Sequence, residues 1–215
     1  MISKSASDRS LIHAFLVLSA MGFALLVLAF LMPKTAAAAE GHDFVGYQKC
    51  KTCHKKEAIG NQVGVWLESR HAKAYETLGT DKAKKWGAEV GVTNPQTDDR
   101  CVKCHSTAHG VADERVSKSF DRTAGVQCES CHGAGKDYKK KKIMMDRDKA
   151  IEKGLIIPTA EVCTGCHNDE SPAWDEKAYT LADGSTVGFD FEQAVKKIAH
   201  PIPEGYDPAS TGEAD

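Results

Sequence analysis

After its first 39 residues, the sequence has no apolar run of the roughly 20 residues that a membrane-spanning helix needs. Charge of one sign is not in excess either. The 28 Lys+Arg residues face 30 Asp+Glu, and a net charge of -2 argues against a nucleic-acid-binding protein. Apolar residues make up 41% of the chain, but the N-terminal segment holds a large share of them. The rest of the chain is sized for one domain yet thin in core-forming residues, so something else must fill its interior.

The N-terminal segment has the order of a secretory signal. Lys4 and Arg9 precede an apolar stretch over residues 11–32, and Ala37 and Ala39 form a small-x-small cleavage site. This order predicts a signal peptide over residues 1–39 and an exported, periplasmic protein. An uncleaved membrane anchor is the alternative, because the apolar stretch is long enough to span a bilayer. The mature chain is predicted to form one domain over residues 40–215, with residues 202–215 expected to form a flexible tail.

All eight cysteines fall into four copies of one pattern, in which two cysteines are spaced by two residues and followed at once by histidine. This pattern is the attachment signature of c-type haem. The two thiols of each copy bond to one porphyrin, and the adjacent imidazole becomes the proximal ligand of its iron. The first to fourth motifs, in chain order, are Cys50-Lys51-Thr52-Cys53-His54, Cys101-Val102-Lys103-Cys104-His105, Cys128-Glu129-Ser130-Cys131-His132 and Cys163-Thr164-Gly165-Cys166-His167.

Disulfides and zinc are the competing interpretations of eight cysteines in an exported chain. A disulfide framework gives no reason for histidine at the same place four times, and histidine directly after the second cysteine is not the usual zinc spacing. The pattern therefore predicts four covalently bound haem c groups. Porphyrin faces then supply the missing interior, so we expect the protein without haem to be largely unfolded. The predicted proximal ligands are His54, His105, His132 and His167.

A six-coordinate haem needs a second axial ligand, commonly histidine or methionine. His71 lies in a helical stretch beside small residues such as Ala72, which let an imidazole approach the helix closely. His200 stands at the end of a helix that is predicted to begin after an Asp190 cap. These two are the favoured distal ligands. Outside the motifs and the signal segment, the histidines are His42, His71, His109 and His200.

Three further residues are weaker candidates. His109 follows His105 by four residues, a tether of at most ~14 Å that must round the porphyrin edge, so it does not suit its own motif's haem. His109 could instead bind a neighbouring iron, donate a hydrogen bond or lie at the surface. Met144 either offers a thioether ligand or fills space against haem. His42 lies near a terminus that is expected to fray, although it could serve a haem across a subunit contact.

The pattern of apolar residues and helix-end signals predicts a mainly α fold, in which short helices and long loops wrap around the four haems with little β structure. Strand signals are weak, with one short hairpin expected over residues 111–120. Loops are expected over residues 91–99 and 171–188, and Thr159 is expected to cap a helix. The predicted helices span residues 56–67, 81–89, 146–153, 159–167 and 190–200.

With these motifs in place, the chain resembles the tetraheme cytochrome c-554 family of exported multihaem cytochromes. The resemblance spans residues 44–201, and it implies a mainly helical fold, haems stacked in close pairs and the role of a periplasmic electron carrier. It rests on Trp66 and His71-Ala72-Lys73-Ala74, on Gly125-Val126-Gln127-Cys128-Glu129-Ser130-Cys131-His132-Gly133-Ala134-Gly135, and on the last helix with His200.

The same resemblance implies particular distal ligands. His71 would serve the third haem and His200 the fourth, while the second haem would be five-coordinate. The family's type member has a histidine after the third motif that ligates the first haem, where this chain has Lys142 with Met144 close behind. Met144 is therefore the leading candidate for the first haem, ahead of His109 and His42. The type member also lacks an equivalent of His109. The role of the type member, which takes electrons from hydroxylamine oxidoreductase, is therefore not assigned to this chain.

The leading functional hypothesis is an electron carrier, in which four haems relay electrons between redox proteins and no substrate is transformed. The expected partners are quinol- or dehydrogenase-linked donors and other cytochromes. Nucleic acid is not expected, and a membrane is expected only if the N-terminal segment is retained. A second hypothesis is binding or reaction of a small molecule, such as nitric oxide or hydroxylamine, at one five-coordinate haem. A third is a protomer of a haem-lined filament, and the oligomeric state is left open.

Overall fold

The computed structural model describes residues 41–200, which belong to one compact unit. Within this range the fold is mainly α, as predicted, with short helices, loops and a single two-stranded sheet. None of these helices has the length and hydropathy that a membrane span requires. The predicted signal segment and the predicted flexible tail lie outside the described residues.

Ten short α-helices follow one another through the described range. They are α1 Tyr47–His54, α2 Gln62–Glu68, α3 Ala74–Thr77, α4 Asp81–Glu89, α5 Asp99–His105, α6 Cys128–His132, α7 Lys141–Met144, α8 Arg147–Glu152, α9 Ala160–Thr164 and α10 Phe191–Ile198. Two 3-10 turns, Glu57–Ile59 and Asp113–Arg115, lie between them. Strands β1 Tyr179–Thr180 and β2 Thr186–Val187 pair antiparallel, with Tyr179 opposite Val187.

Side-chain caps explain why three helices begin where the sequence predicts. The hydroxyl of Thr80 accepts a hydrogen bond from the backbone N–H of Ala83 at the start of α4. Asp146 and Asp190 accept equivalent bonds at the starts of α8 and α10. Each cap satisfies a backbone donor that the first helical turn leaves without an intrahelical partner.

Three details of the predicted helices are wrong. The helix expected over residues 56–67 is interrupted, because Gly60 and Asn61 adopt left-handed φ angles of 96° and 42°. Thr159 does not cap α9, since its hydroxyl donates to the Glu161 carboxylate instead. The last helix ends at Ile198, so His200 lies just beyond it rather than at its final turn.

The hairpin predicted over residues 111–120 is also wrong. That segment contains the turn Asp113–Arg115, and Val116 pairs with Phe44 in an isolated parallel bridge. The hairpin instead joins β1 and β2, inside the stretch that was expected to be a loop. Gly184 supplies the positive φ of 82° that the connection between these strands requires.

The interior of the described range is small and partly polar. Its buried hydrophobic side chains are Val45, Val63, Leu78, Val92, Ala108, Tyr138 and Ala150, and its buried polar ones are Ser106, Thr107, Gln127 and Glu129. Seven apolar side chains are few for 160 ordered residues, because ordering each residue costs roughly 1–2 kcal/mol of backbone entropy. The polypeptide alone therefore lacks the apolar interior that normally offsets this cost.

Candidate haem-binding sites

The four motifs occupy similar places on their local elements. Helices α1, α5 and α6 each end on the histidine of a motif. The two cysteines of a motif are three residues apart, so on a helix they face the same side. The fourth motif departs from this, because α9 ends at Thr164 and leaves Cys166 and His167 in the turn after it. In each motif, paired thiols are thus presented just before an imidazole.

Cysteines of different motifs approach one another. None of the eight forms a disulfide. Cys50 hydrogen-bonds with Cys128, and this bond is the main cause of the raised pKa of the Cys50 thiol. Cys104 hydrogen-bonds with Cys166, which lowers the pKa of the Cys104 thiol to about 7. The first motif therefore adjoins the third, and the second adjoins the fourth.

The third and fourth motifs are neighbours as well. Burial raises the pKa of the Cys131 thiol, and the nearby Cys163 raises it further. Together with the two thiol pairs, this proximity places every motif close to at least one other motif.

In three of the four motif histidines, one ring nitrogen forms a hydrogen bond with an oxygen atom. Each acceptor is a carbonyl oxygen, so the Nδ1 atom must carry the proton and donate. This tautomer leaves Nε2 with a free lone pair for a metal, and a bond of this kind orients metal-bound histidine. The pairs are His54 Nδ1 with Gln62 Oε1 at 3.1 Å, His105 Nδ1 with the Ala74 carbonyl at 2.7 Å, and His132 Nδ1 with the Ile156 carbonyl at 3.1 Å.

Two motif histidines face a second histidine. The ring centroids of His71 and His167 are 6.1 Å apart, as are those of His132 and His200. A metal ion with bonds of about 2 Å to one nitrogen of each ring would hold two imidazole centroids about 6 Å apart. The spacing therefore matches two axial ligands with an iron between them.

These pairs reverse the assignment that the family resemblance implied. His71, expected at the third motif, lies against His167 of the fourth. His200, expected at the fourth motif, lies against His132 of the third. The physical reason is that the ring contact joins residues far apart in the sequence, so no local motif specifies which haem-attachment segment His71 meets.

The electrostatics of these rings favour the neutral, metal-binding form of histidine. Burial lowers the pKa of His71, and the neighbouring His167 lowers it further. Burial likewise lowers the pKa of His132. His167 is oriented by a ring contact, since Phe189 stacks on it with centroids 5.4 Å apart and planes 18° apart.

The remaining distal candidates lie elsewhere. The Nε2 atom of His109 is 3.4 Å from the carboxylate of Asp99, at the start of α5. The Nδ1 atom of His42 is 2.6 Å from the carboxylate of Asp137. Met144 is half-buried at the end of α7. The roles of all three as iron ligands stay predictions.

A buried polar cluster around the third motif was missed by reasoning from the sequence. Gln127, which is 1% exposed, donates its side-chain amide to the Asp121 carbonyl and accepts from the Tyr47 N–H of α1. Thr107, two residues after the second motif, bonds to the N–H of Gln127 and to the Ser130 hydroxyl. These bonds tie the first and second motifs to the third. The only sequence signal for this cluster was the segment over residues 125–135, which carries the family resemblance and contains Gln127 and Ser130.

The residues present fit haem on two observations. The histidine pairs have the spacing of axial ligands, and three motif histidines have their Nδ1 atoms bonded so that Nε2 is available. The second observation is the supply of apolar surface. Within residues 41–200 the large hydrophobic side chains that are exposed, and so free to pack against porphyrin, are Leu67, Val90, Met145, Ile151, Ile156, Ile157 and Ile198.

Comparison with known proteins identifies the family. Residues 49–133 match the family model described as cytochrome c554 and c-prime. Cytochrome c-554 of Nitrosomonas europaea is 30% identical over 196 residues, which cover 80% of this chain and 81% of that protein. No solved structure gave a significant match. The chain therefore belongs to the cytochrome c-554 family and is a c-type cytochrome, an electron carrier that uses haem c.

Proposed function

We propose that this protein is a periplasmic carrier that holds four haem c groups and relays electrons between redox partner proteins. The observation that carries the proposal is the placement of His71 and His200, each against the proximal histidine of a motif. Two axial imidazoles leave an iron no open position for a substrate, which favours electron transfer over catalysis. Bound haem supplies the one-electron chemistry, and the side chains hold and orient it.

The proximity of the motifs supports a relay. Contacts between Cys50 and Cys128, and between Cys104 and Cys166, make two close pairs of attachment sites. The bond between Thr107 and Ser130 connects the segment after the second motif to the third motif and so links those pairs. Each haem would then have another haem nearby to exchange electrons with.

A second candidate function is small-molecule binding at the second motif. Among the described residues, the ring contacts between histidines involve the third and fourth motifs and not His105. The proximal His105 of the same motif is anchored on the Ala74 carbonyl. An iron held there with one open position would bind a ligand such as nitric oxide.

One experiment distinguishes the two functions. Holoprotein matured in a host that attaches haem is titrated potentiometrically, while optical and paramagnetic resonance spectra count low-spin and high-spin irons. The carrier predicts four reversible one-electron steps, with low-spin signals at the third and fourth motifs and no turnover of nitric oxide or hydroxylamine.

Other outcomes would contradict the carrier. Catalytic consumption of nitric oxide or hydroxylamine, with a high-spin signal that shifts on binding, would replace it with the second function. Sedimentation of the same sample tests the filament hypothesis, which a strict monomer at high concentration eliminates.

A further inference from the structure

Glu129 is a carboxylate at the centre of the molecule. It is the second residue of the third motif, between Cys128 and Cys131, and only 3% of it is exposed. Buried carboxylates are uncommon, because removing a charge from water is costly unless strong hydrogen bonds compensate. The reason for its presence should therefore be visible in its contacts.

Three backbone N–H groups donate to this carboxylate. Val45 N–H lies 2.9 Å from Oε1, Gly46 N–H 2.7 Å from Oε2, and Gly135 N–H 2.6 Å from Oε1. Burial raises the pKa of Glu129 above its ordinary value, although the three N–H bonds and the nearby Lys139 act in the opposite direction. Backbone N–H donors interact more strongly with a carboxylate than with a carboxylic acid, so this geometry favours the charged form.

The donors come from two segments that lie far apart in the sequence. Val45 and Gly46 directly precede α1, which carries the first motif, and are 84 and 83 residues from Glu129. Gly135 lies three residues after the third motif ends at His132. The carboxylate therefore bridges the first and third motifs, at the place where Cys50 meets Cys128.

The side chains around the Glu129 carboxylate are buried, so water screens its charge only weakly. Val45 and Tyr138 are buried beside it, and Tyr138 donates its hydroxyl to the Gly133 carbonyl rather than to the carboxylate. Coulomb interactions are several-fold stronger in such an interior than in water. A ferric haem carries one more positive charge than a ferrous one, so a nearby negative charge stabilises the oxidised form.

We propose that Glu129 is a positioning residue that clamps the first and third haem-attachment segments together and, as a buried negative charge, lowers the reduction potentials of the two haems held there. This inference rests on the proposed function, since it requires haem at those motifs. Glu129 would then set the distance between the first and third haems. It would also make the reduction potentials of this pair lower than those of the second and fourth haems.

The test compares Glu129→Gln with Glu161→Gln in holoprotein. The first variant removes the charge but keeps the size and an accepting oxygen. The control removes an exposed charge two residues before Cys163, where Glu161 interacts with Thr159. Haem content is measured by mass spectrometry, and the four midpoint potentials are measured by redox titration.

With four haems attached, Glu129→Gln should shift two of the four midpoints to more positive values. The expected change is about tenfold in the ratio of reduced to oxidised haem, which corresponds to about 59 mV for a one-electron couple. Glu161→Gln should leave all four midpoints in place. Four attached haems with unchanged midpoints in Glu129→Gln would overturn the proposal, whereas wild-type protein with fewer than four haems would instead refute the proposed function.

A second variant covers failure of Glu129→Gln to mature. Glu129→Asp keeps the charge and shortens the reach by one methylene. If it matures with four haems and wild-type midpoints while Glu129→Gln does not mature, the charge is required and the proposal stands. If it matures with raised midpoints although its charge is kept, the proposed effect of the Glu129 charge on the potentials is refuted.

Discussion

Each anchored motif histidine depends on an acceptor that its own motif does not supply. The carbonyl that holds His105 belongs to Ala74, 31 residues earlier, and the one that holds His132 belongs to Ile156, 24 residues later. The repeated pattern predicts the ligands themselves because their chemistry requires those residue types. It does not predict these acceptors, since a backbone carbonyl carries no residue-specific signal.

Replacing His71 with alanine should convert one haem iron per molecule from low-spin to high-spin. The reason is that His71 faces His167 with the spacing of an axial pair, so its removal leaves that iron five-coordinate. Paramagnetic resonance of the oxidised holoprotein measures the change. Arg70→Ala is the control, because Arg70 is the exposed neighbour of His71 in the chain. An unchanged set of spin states in His71→Ala would contradict the assignment.

The turn that presents His71 is built by contacts between distant elements. The N–H of Val126 donates to the His71 carbonyl at 2.8 Å, and the Val126 carbonyl accepts from the indole N–H of Trp66 at 2.7 Å. Gly125 has a φ of 72°, and a Cβ there would lie 2.7 Å from the Ala72 carbonyl oxygen and closer still to that of His71. The segment before the third motif therefore helps to position a histidine that faces the fourth motif.

The substitution Gly125→Ala should both destabilise the holoprotein and move His71. Gly91 is the matched control, because its φ of 73° is nearly the same and no atom lies within 4 Å of its Cβ position. Gly91→Ala should cost about 1 kcal/mol from the positive φ alone. Gly125→Ala should cost roughly 2–4 kcal/mol, since a backbone clash is added. Denaturant unfolding measures both values, and equal costs would show that the close approach is unimportant.

Local signals explain which elements were predictable. Thr80, Asp146 and Asp190 cap their helices as their side-chain chemistry dictates, so α4, α8 and α10 begin where expected. The resemblance implied the third motif for His71, whereas the structure places it against the fourth, because a contact between such distant residues leaves no local pattern. The turn residues Asp183 and Gly184 were a usable hairpin signal, but the short strands beside them were too weak to identify.

The molecule as a whole is a polar framework with little apolar interior of its own. The buried polar side chains are those of the cluster that joins the first three motifs, and the buried apolar ones are few and scattered. The scarcity of apolar residues predicted this arrangement, since composition alone shows that the core is incomplete. The polar cluster could not be predicted, because Gln127 and Thr107 resemble ordinary surface residues until the fold buries them.

The same feature predicts that the protein without haem does not fold cooperatively. A variant with all eight motif cysteines replaced by alanine cannot attach haem covalently, and it should show no cooperative thermal transition by circular dichroism. Wild-type holoprotein, measured alongside, should unfold in a single transition. A cooperative transition in the cysteine-free variant at a similar temperature would show that the polypeptide supplies its own core.

The central claim is that four haems bound through thioethers form the interior of this protein at its four motifs. Mass spectrometry of the denatured protein, matured in a haem-attaching host, tests it most directly, because denaturation releases any haem that is not covalently bound. The account predicts the mass of the polypeptide plus four haem groups. A mass with fewer than four, or with none, would contradict it.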